Sequence, residues 1–331
     1  MSTINAQFPT LMDWAKRKDP SGKTAMIVEL LSQTNEILDD MVWQEGNLET
    51  GHRTTVRTGL PTVAWRLLNQ GTQPSKSTTA QIDEGIGMLE AWGQVDVELA
   101  NLNGNTDEFR LSEAQAFIEA MNQEMASTLF YGNSSTAPEE FTGLSIRYSD
   151  PTAVNGQNVI DAGGAQSDNS SIWLVVWGPQ TVFGIFPKGS KAGLEHKNLG
   201  ETTAEAVGGV AGSLMQVYRD QWKWKAGIAL RDWRYVVRIG SIDISSLVAK
   251  SGADIIELMI KAIHRVPNLR MGRPAFYMNR TLIEMLDILR RDDVIAGGGL
   301  TWETVDGKIQ YAFRGIPVRT CDALLETETA V

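Results

Sequence analysis

The chain has 331 residues, 42% of them apolar and 21% charged, and 40 acidic against 30 basic side chains give a formal net charge of -10. That length suffices for one large domain or two smaller ones, each with its own hydrophobic core. A single cysteine, Cys321, excludes an intrachain disulfide and a thiol cluster for zinc or iron–sulfur, while the acidic balance disfavours sequence-specific DNA binding, which needs a concentrated basic face.

No stretch reaches the roughly 18 to 20 consecutive apolar residues of a membrane span. The first residues also lack the basic, apolar and small-residue zones of a secretory signal, so a soluble protein that stays in a reducing compartment where it is made is expected.

Residues 1–50 read as helical. Thr10 and Asp13 have capping-box spacing, Ala25, Met26, Ile27, Leu30, Leu31 and Leu38 form a loose apolar stripe, and Trp43 closes the segment. From Gly51 to about Asn103 the period becomes two, with Val63, Trp65 and Leu67 alternating on one arm and Leu89, Ala91, Val95, Val97 and Leu99 on the other. The polar segment from Gln70 to Thr79 between them reads as an exposed tip. A hairpin of that length has no core of its own, and its bare strand edges call for a neighbouring subunit.

Ser112 with Gln115 reads as a capping box for a helix that runs to about Tyr131, with Ala114, Phe117, Ile118, Met121, Met125 and Leu129 recurring at three or four residues; a short ordered element over Glu139–Tyr148 and then a polar loop through Ser171 follow. Strands are predicted at Ile172–Trp177 and Thr181–Phe186, irregular chain over 187–213, and alternating strands at Leu214–Ala226 and Arg231–Ile239. In the last two, Tyr218, Trp222, Trp224, Trp233 and Tyr235 face inward as a candidate core. Lys223, Lys225, Arg231, Arg234 and Arg238 face outward towards acids such as Asp220 and Asp232. Helices at Ala253–His264 and from Thr281, with Glu284 completing a capping box, and strands at Ile309–Phe313 and Ile316–Thr320 complete an α+β protein.

The chain carries little recognisable chemistry. His52, His196 and His264 are far apart and lack metal-ligand spacing, and Cys321 reads as a buried, inert thiol. Gly297, Gly298 and Gly299 lack the lysine and hydroxyl of a phosphate loop and read as a hinge, and Glu139-Glu140 and Asp292-Asp293 read as solvated turn carboxylates. No catalytic, cofactor or metal residue is assigned. Interleaved rings and basic side chains around Trp222 could stack single-stranded nucleic acid, but their period-two alternation fits a strand core better.

The block Trp222–Ile239 (WKWKAGIALRDWRYVVRI) resembles a segment of the major capsid proteins of tailed bacteriophages. Met125–Asn133 followed by Glu139–Tyr148 (EEFTGLSIRY), Pro274–Arg280 (PAFYMNR) and Phe313–Arg319 (FRGIPVR) resemble further blocks of that family, so the likeness extends from about residue 40 onward. It implies the HK97-like capsid fold: an N-terminal arm over 1–50, an extended E-loop hairpin over 51–103 and a peripheral domain with a spine helix over 104–171. An axial domain over 172–300 and closing strands over 301–331 complete it.

The resemblance further implies a virion protein, assembled in the bacterial cytoplasm. It would form hexamers and pentamers of itself in an icosahedral shell around double-stranded DNA, which its acidic surface would not grip. Expected partners are a separate scaffolding protein, since the short N-terminal region leaves little room for a fused one, a portal, and a decoration or cement protein. Arg53, Arg57, Trp65, Arg66, Lys76 and Trp92 are the candidate intersubunit contacts. Competing readings are an encapsulin-like compartment, an enzyme with an unrecognised acidic site, which would run as a small discrete species, and a nucleic-acid binder with steep salt dependence.

Overall fold

The structure, a computed structural model, describes residues 8–16, 31–104, 106–165, 167–206, 212–249, 251–293, 300–305 and 308–331. Short helices α1 (Leu11–Lys16) and α2 (Ile37–Asp40) lead into strand β1 (Trp43–Glu45). The capping box at α1 forms as its spacing predicts: Thr10 donates its amide and hydroxyl to Asp13 Oδ2 at 2.9 and 2.8 Å, and the Asp13 amide returns to Thr10 Oγ1 at 3.3 Å. The apolar stripe over 25–30 lies outside the described residues. Trp43 opens a strand, so the helical reading of residues 1–50 does not reach their end.

Strands β2 (Gly51–Gly59) and β3 (Thr78–Gly85) form an antiparallel hairpin, Gly51 opposite Gly85 and Gly59 opposite Thr78. The connection 60–77 has no strand, so Val63, Trp65 and Leu67 alternate in the sequence without a ladder. The second alternating run is not the hairpin's returning arm. Leu89 to Val95 lie in β4 (Gly87–Asp96), which pairs elsewhere, and Val97 and Leu99 lie in α3 (Val97–Asn101). Asp96 ends the strand by capping α3, accepting the Glu98 amide at 2.8 Å.

Helix α4 (Thr106–Tyr131) starts six residues before Ser112, whose hydroxyl donates to Phe109 O within the helix instead of capping it. There follow α5 (Leu144–Arg147), β5 (Val159–Asp161), β6 (Asn169–Trp177), β7 (Val182–Phe186), β8 (Leu194–Glu205) and β9 (Leu214–Leu230). Strand β8 overturns the expectation of irregular chain over 187–213: its polar side chains hide its pairing, because only one edge and little apolar surface are used. Next come β10 (Val236–Asp243), α6 (Ile244–Val248), α7 (Ile255–Arg265), β11 (Arg273–Met278), α8 (Arg280–Asp293), β12 (Leu300–Val305), β13 (Lys308–Phe313) and β14 (Ile316–Thr320). Asp254 caps α7 through the Glu257 amide, and Asn279, not Thr281, caps α8 through the Leu282 amide at 2.9 Å.

The described residues gather into two compact units with boundaries inside α4 and β9: one from 1–35, 88–126 and 193–225, the other from 36–87, 127–192 and 226–331. In the first unit β8 and β9 run antiparallel from Leu194 opposite Trp224 to Glu205 opposite Leu214. Val95, Ala100 and Phe109 make a small core there, against which Trp14 and Tyr218 pack.

The second unit is built around β6, in which all nine residues are buried. Antiparallel β10 and β11 flank it, β11 pairs parallel with β14, and β13 and β12 continue antiparallel from there. One face of β6, with Ile172, Leu174 and Val176, meets Ile255, Leu258, Met259 and Ala262 of α7 and Leu282 and Leu286 of α8. On the other face Trp173 meets the rings of Phe130 and Tyr148, with centroids at 5.9 and 6.1 Å. A strand covered on both sides loses the polar alternation of a half-exposed one, which is why Ile172–Trp177 reads as an unbroken apolar run.

The block Phe141–Leu144 is explained by contact with the last turn of α4. The Gly143 amide donates to Gly132 O at 2.8 Å, and a Cβ on Gly143 would stand 2.7 Å from the carbonyl oxygens of both Thr128 and Phe130. Gly143→Ala is therefore expected to cost about 1–3 kcal/mol in chemical denaturation, as overpacking does. Gly71→Ala, whose Cβ would meet nothing within 4 Å, is the control and leaves the midpoint where it was.

Candidate assembly surfaces

The hairpin is fixed at its root and bare at its tip. At the root Gly51 lies against β3 so closely that a Cβ would sit 2.2 Å from Glu84 O. The Glu84 carboxylate, buried, accepts both guanidinium nitrogens of Arg147 at 2.6 Å each, and Arg147 Nη2 also donates to Thr142 O at 3.1 Å. This is a forked, charge-assisted pair, the strongest geometry available to those two side chains. His52, the cross-strand neighbour of Glu84, is also buried and meets Phe183 edge-on with centroids 5.5 Å apart.

Farther out, Arg53 forks onto Asp83 at 2.6 and 2.7 Å, but both side chains are about half exposed, so water screens most of that attraction. Asn47 clips the strand start by pairing with the amide and carbonyl of Arg53 at 2.7 and 2.8 Å. Beyond Gly59 the chain carries Leu60, Val63, Trp65, Leu67 and Leu68 at 69% to 105% exposure. Large side chains exposed together on a single loop are the mark of a surface made to be covered.

Of the candidate contacts, Arg53 is engaged with Asp83, while Arg57, Trp65, Arg66 and Lys76 are exposed on the hairpin and its connection. Trp92 belongs to the other unit, on β4, at 46% exposure. The candidate core residues do not form one core. Tyr218, Trp222 and Trp224 lie in the first unit, where Trp222 is buried with Phe117 stacked on it at 4.8 Å, while Tyr218 and Trp224 are half-buried.

Trp233 and Tyr235 lie in the second unit on a short 3-10 turn before β10, so the predicted strand over 231–239 begins only at Val236. Tyr235 joins the core of α7 and α8, and Trp233 is half-buried. Asp232 sets that turn by accepting the Arg234 amide at 3.1 Å and pairing with its guanidinium at 2.6 Å, an arrangement that alternation alone does not reveal.

Arg238 reverses its expected outward direction. Its guanidinium is buried and donates to Glu328 Oε2 at 2.8 Å, to Tyr148 O at 3.0 Å and to Ser171 Oγ at 3.2 Å, with the Trp173 ring 5.4 Å away. Glu328 in turn accepts hydroxyls from Tyr131 and Ser171, and its amide donates to Asn169 O at 2.9 Å. Burial, with Glu328 beside it, holds the Tyr131 phenol well above its usual range, so it remains a donor.

The three histidines stay separate: His52 is buried at the hairpin root, His196 pairs with Asp220 at 3.0 Å, and His264 is exposed at the end of α7. Cys321 is buried, and that burial pushes its thiol up to about 12. Gly297–Gly299 lie outside the described residues. Among the described residues no helix is long and apolar enough to cross a membrane, and no three His, Cys, Asp or Glu side chains are grouped closely enough to hold a metal.

A mixed α+β body carrying a rooted hairpin, a long helix and an apolar tip is the architecture of an HK97-like capsid subunit. All of the chain matches 99% of a chain in the cryo-EM structure of bacteriophage epsilon15, with 32% identity and a TM-score of 0.76. The family model of the major capsid protein GP7 matches residues 19–331, and the chain belongs to that family.

More remote are Mycobacterium phage Adephagia (13% identity, TM-score 0.43) and the SrpI encapsulin of Synechococcus elongatus PCC 7942 (10%, 0.43); in each case 67% of this chain is covered and 92% of the other. Comparison with curated protein sequences finds no match. The protein is a major capsid protein of a tailed phage: it self-assembles into the virion shell, and its family is one of structural subunits, not of enzymes.

Proposed function

We propose that the protein assembles as hexamers and pentamers into an icosahedral head around double-stranded DNA, in the cytoplasm of a bacterial host. In this reading 51–85 serves as the E-loop, α4 as the spine helix, and much of 172–300 as the axial domain. The observation that carries the proposal is the apolar run Leu60–Leu68, exposed at the end of a hairpin whose root is held by a buried ion pair. Covering that run with a neighbouring copy removes from water a surface that a monomer would leave exposed.

Arg57, Trp65, Arg66 and Lys76 would then contact the neighbour, with Trp92 on a second surface. A net charge of -10 keeps the walls from binding the polymer they enclose. A separate scaffolding protein, a portal and a decoration or cement protein are the proposed partners.

Electron microscopy and sedimentation of the expressed chain, with and without a co-expressed scaffolding protein, test this reading. Uniform closed shells are expected only with the scaffold; uniform shells from the chain alone would refute the scaffold's part. Replacing Leu60, Val63, Trp65, Leu67 and Leu68 together by serine is expected to leave a folded subunit that sediments as small species. Shell yield equal to wild type would refute the role of the run.

A further inference from the structure

His52 is an unusual residue to find at the root of a projecting hairpin. It is the second residue of β2, only 7% exposed, and neither ring nitrogen has a hydrogen-bond partner among the described residues, so the ring packs as an apolar plate against the edge of Phe183. Two charged groups act on it, Arg231 and Glu84. The guanidinium of Arg231, after β9, lies over the same Phe183 ring at 5.5 Å. Glu84, opposite on β3, is the anion that acts on it among the described residues, and both its oxygens are held by Arg147 of α5 at 2.6 Å. Arg53, the next residue on β2, is already engaged by Asp83.

A neutral imidazole suits this setting and an imidazolium does not: the charge would be buried, would face Arg231, and would compete with Arg147 for one carboxylate. We infer that the hairpin root is a proton-operated latch, closed while His52 is neutral and loosened from Phe183 when His52 takes up a proton. Burial first, and Arg231 second, hold the ring's pKa below the ordinary histidine value, with Glu84 opposing them.

The sign follows from proton binding. The opened root takes the proton more readily than the closed one, so the closed form is at full strength above the ordinary histidine pKa of about 6.5. It weakens as pH falls below that value, by up to about tenfold for each pH unit until the closed form also titrates. The latch is a property of the subunit itself and stands apart from the proposed shell geometry.

Hydrogen exchange of the full chain at about pH 7.5 and about pH 5.5, either side of the ordinary histidine value and corrected for intrinsic rates, tests it. Protection of residues 51–59 and 78–85 is expected to drop in the wild type and to stay level in His52→Phe, which keeps an aromatic face on Phe183 but binds no proton. Equal wild-type protection at the two pH values, or an equal drop in His52→Phe, overturns the latch. Should His52→Phe fail to fold, an NMR titration of the wild-type ring decides: a midpoint below that of the unfolded chain supports the latch, and one at or above it overturns it.

Discussion

Glu328→Ala is expected to lower the stability of the protein by about 3–5 kcal/mol, the cost of leaving a buried charge without its partner. Arg238 would keep its bonds to Tyr148 O and Ser171 but would lose the carboxylate that it pairs with in the interior of the second unit, while the hydroxyls of Tyr131 and Ser171 would both lose their acceptor. Chemical denaturation of wild type, Glu328→Ala and the double variant Arg238→Met/Glu328→Leu reads the effect. The double variant is expected to recover much of the loss, because an apolar pair leaves no charge stranded. A single-variant cost under about 1 kcal/mol, the level of an exposed pair, would show the ion pair to be solvated.

Arg147→Ala strikes the hairpin in the same way. It leaves the Glu84 carboxylate, 7% exposed, without the two bonds that neutralise it, at an expected cost of about 3–5 kcal/mol. Glu84 sits at the root, so the loss falls on the docking of β2 and β3 before it reaches the β6 core. Exchange is expected to rise in residues 51–59 and 78–85 well before it rises in Asn169–Trp177, and shell yield to fall with it. Arg147→Lys, which offers a point charge in place of a planar fork, is expected to restore only part of either readout. Uniform loosening of the whole chain would show the pair to be a general stabiliser and not the hairpin's anchor.

Much of this organisation is legible in the sequence. The apolar run at Ile172–Trp177, the 253–264 helix and the two last strands all arise from burial, which is written as an unbroken run where both faces are covered and as periodicity where one is; the stripe of the helix ending at Tyr131 follows burial only in part, since its Ile118 is exposed. Capping is legible where the side chain bonds locally, as at Thr10 and Asp13. It misleads at Ser112, since a hydroxyl inside a helix can bond back to the preceding turn, as Ser112 does to Phe109 O. The polar β8 is invisible because it buries almost nothing.

The same limit applies at the sites. An exposed polar tip over Gln70–Thr79 can be anticipated from composition, but the exposed run around Trp65, which alternates like a strand, and the pairs that root the hairpin and close the core cannot. Glu84 and Arg147 are 63 residues apart, and Arg238 and Glu328 are 90 apart. Opposite charges at such distances are too common along a chain to single out their partners. Arg238 misleads further, because its place among alternating charges makes it look solvated until β6 is seen to be covered on both faces.

The partnership between Arg238 and Glu328 also has a temporal side. On the ribosome Arg238 emerges 90 residues ahead of its partner, a wait of roughly 5–18 s at ordinary rates of synthesis. Until Glu328 arrives, Arg238 lacks the carboxylate that it pairs with in the finished unit, and burying it in that state costs about 3–5 kcal/mol.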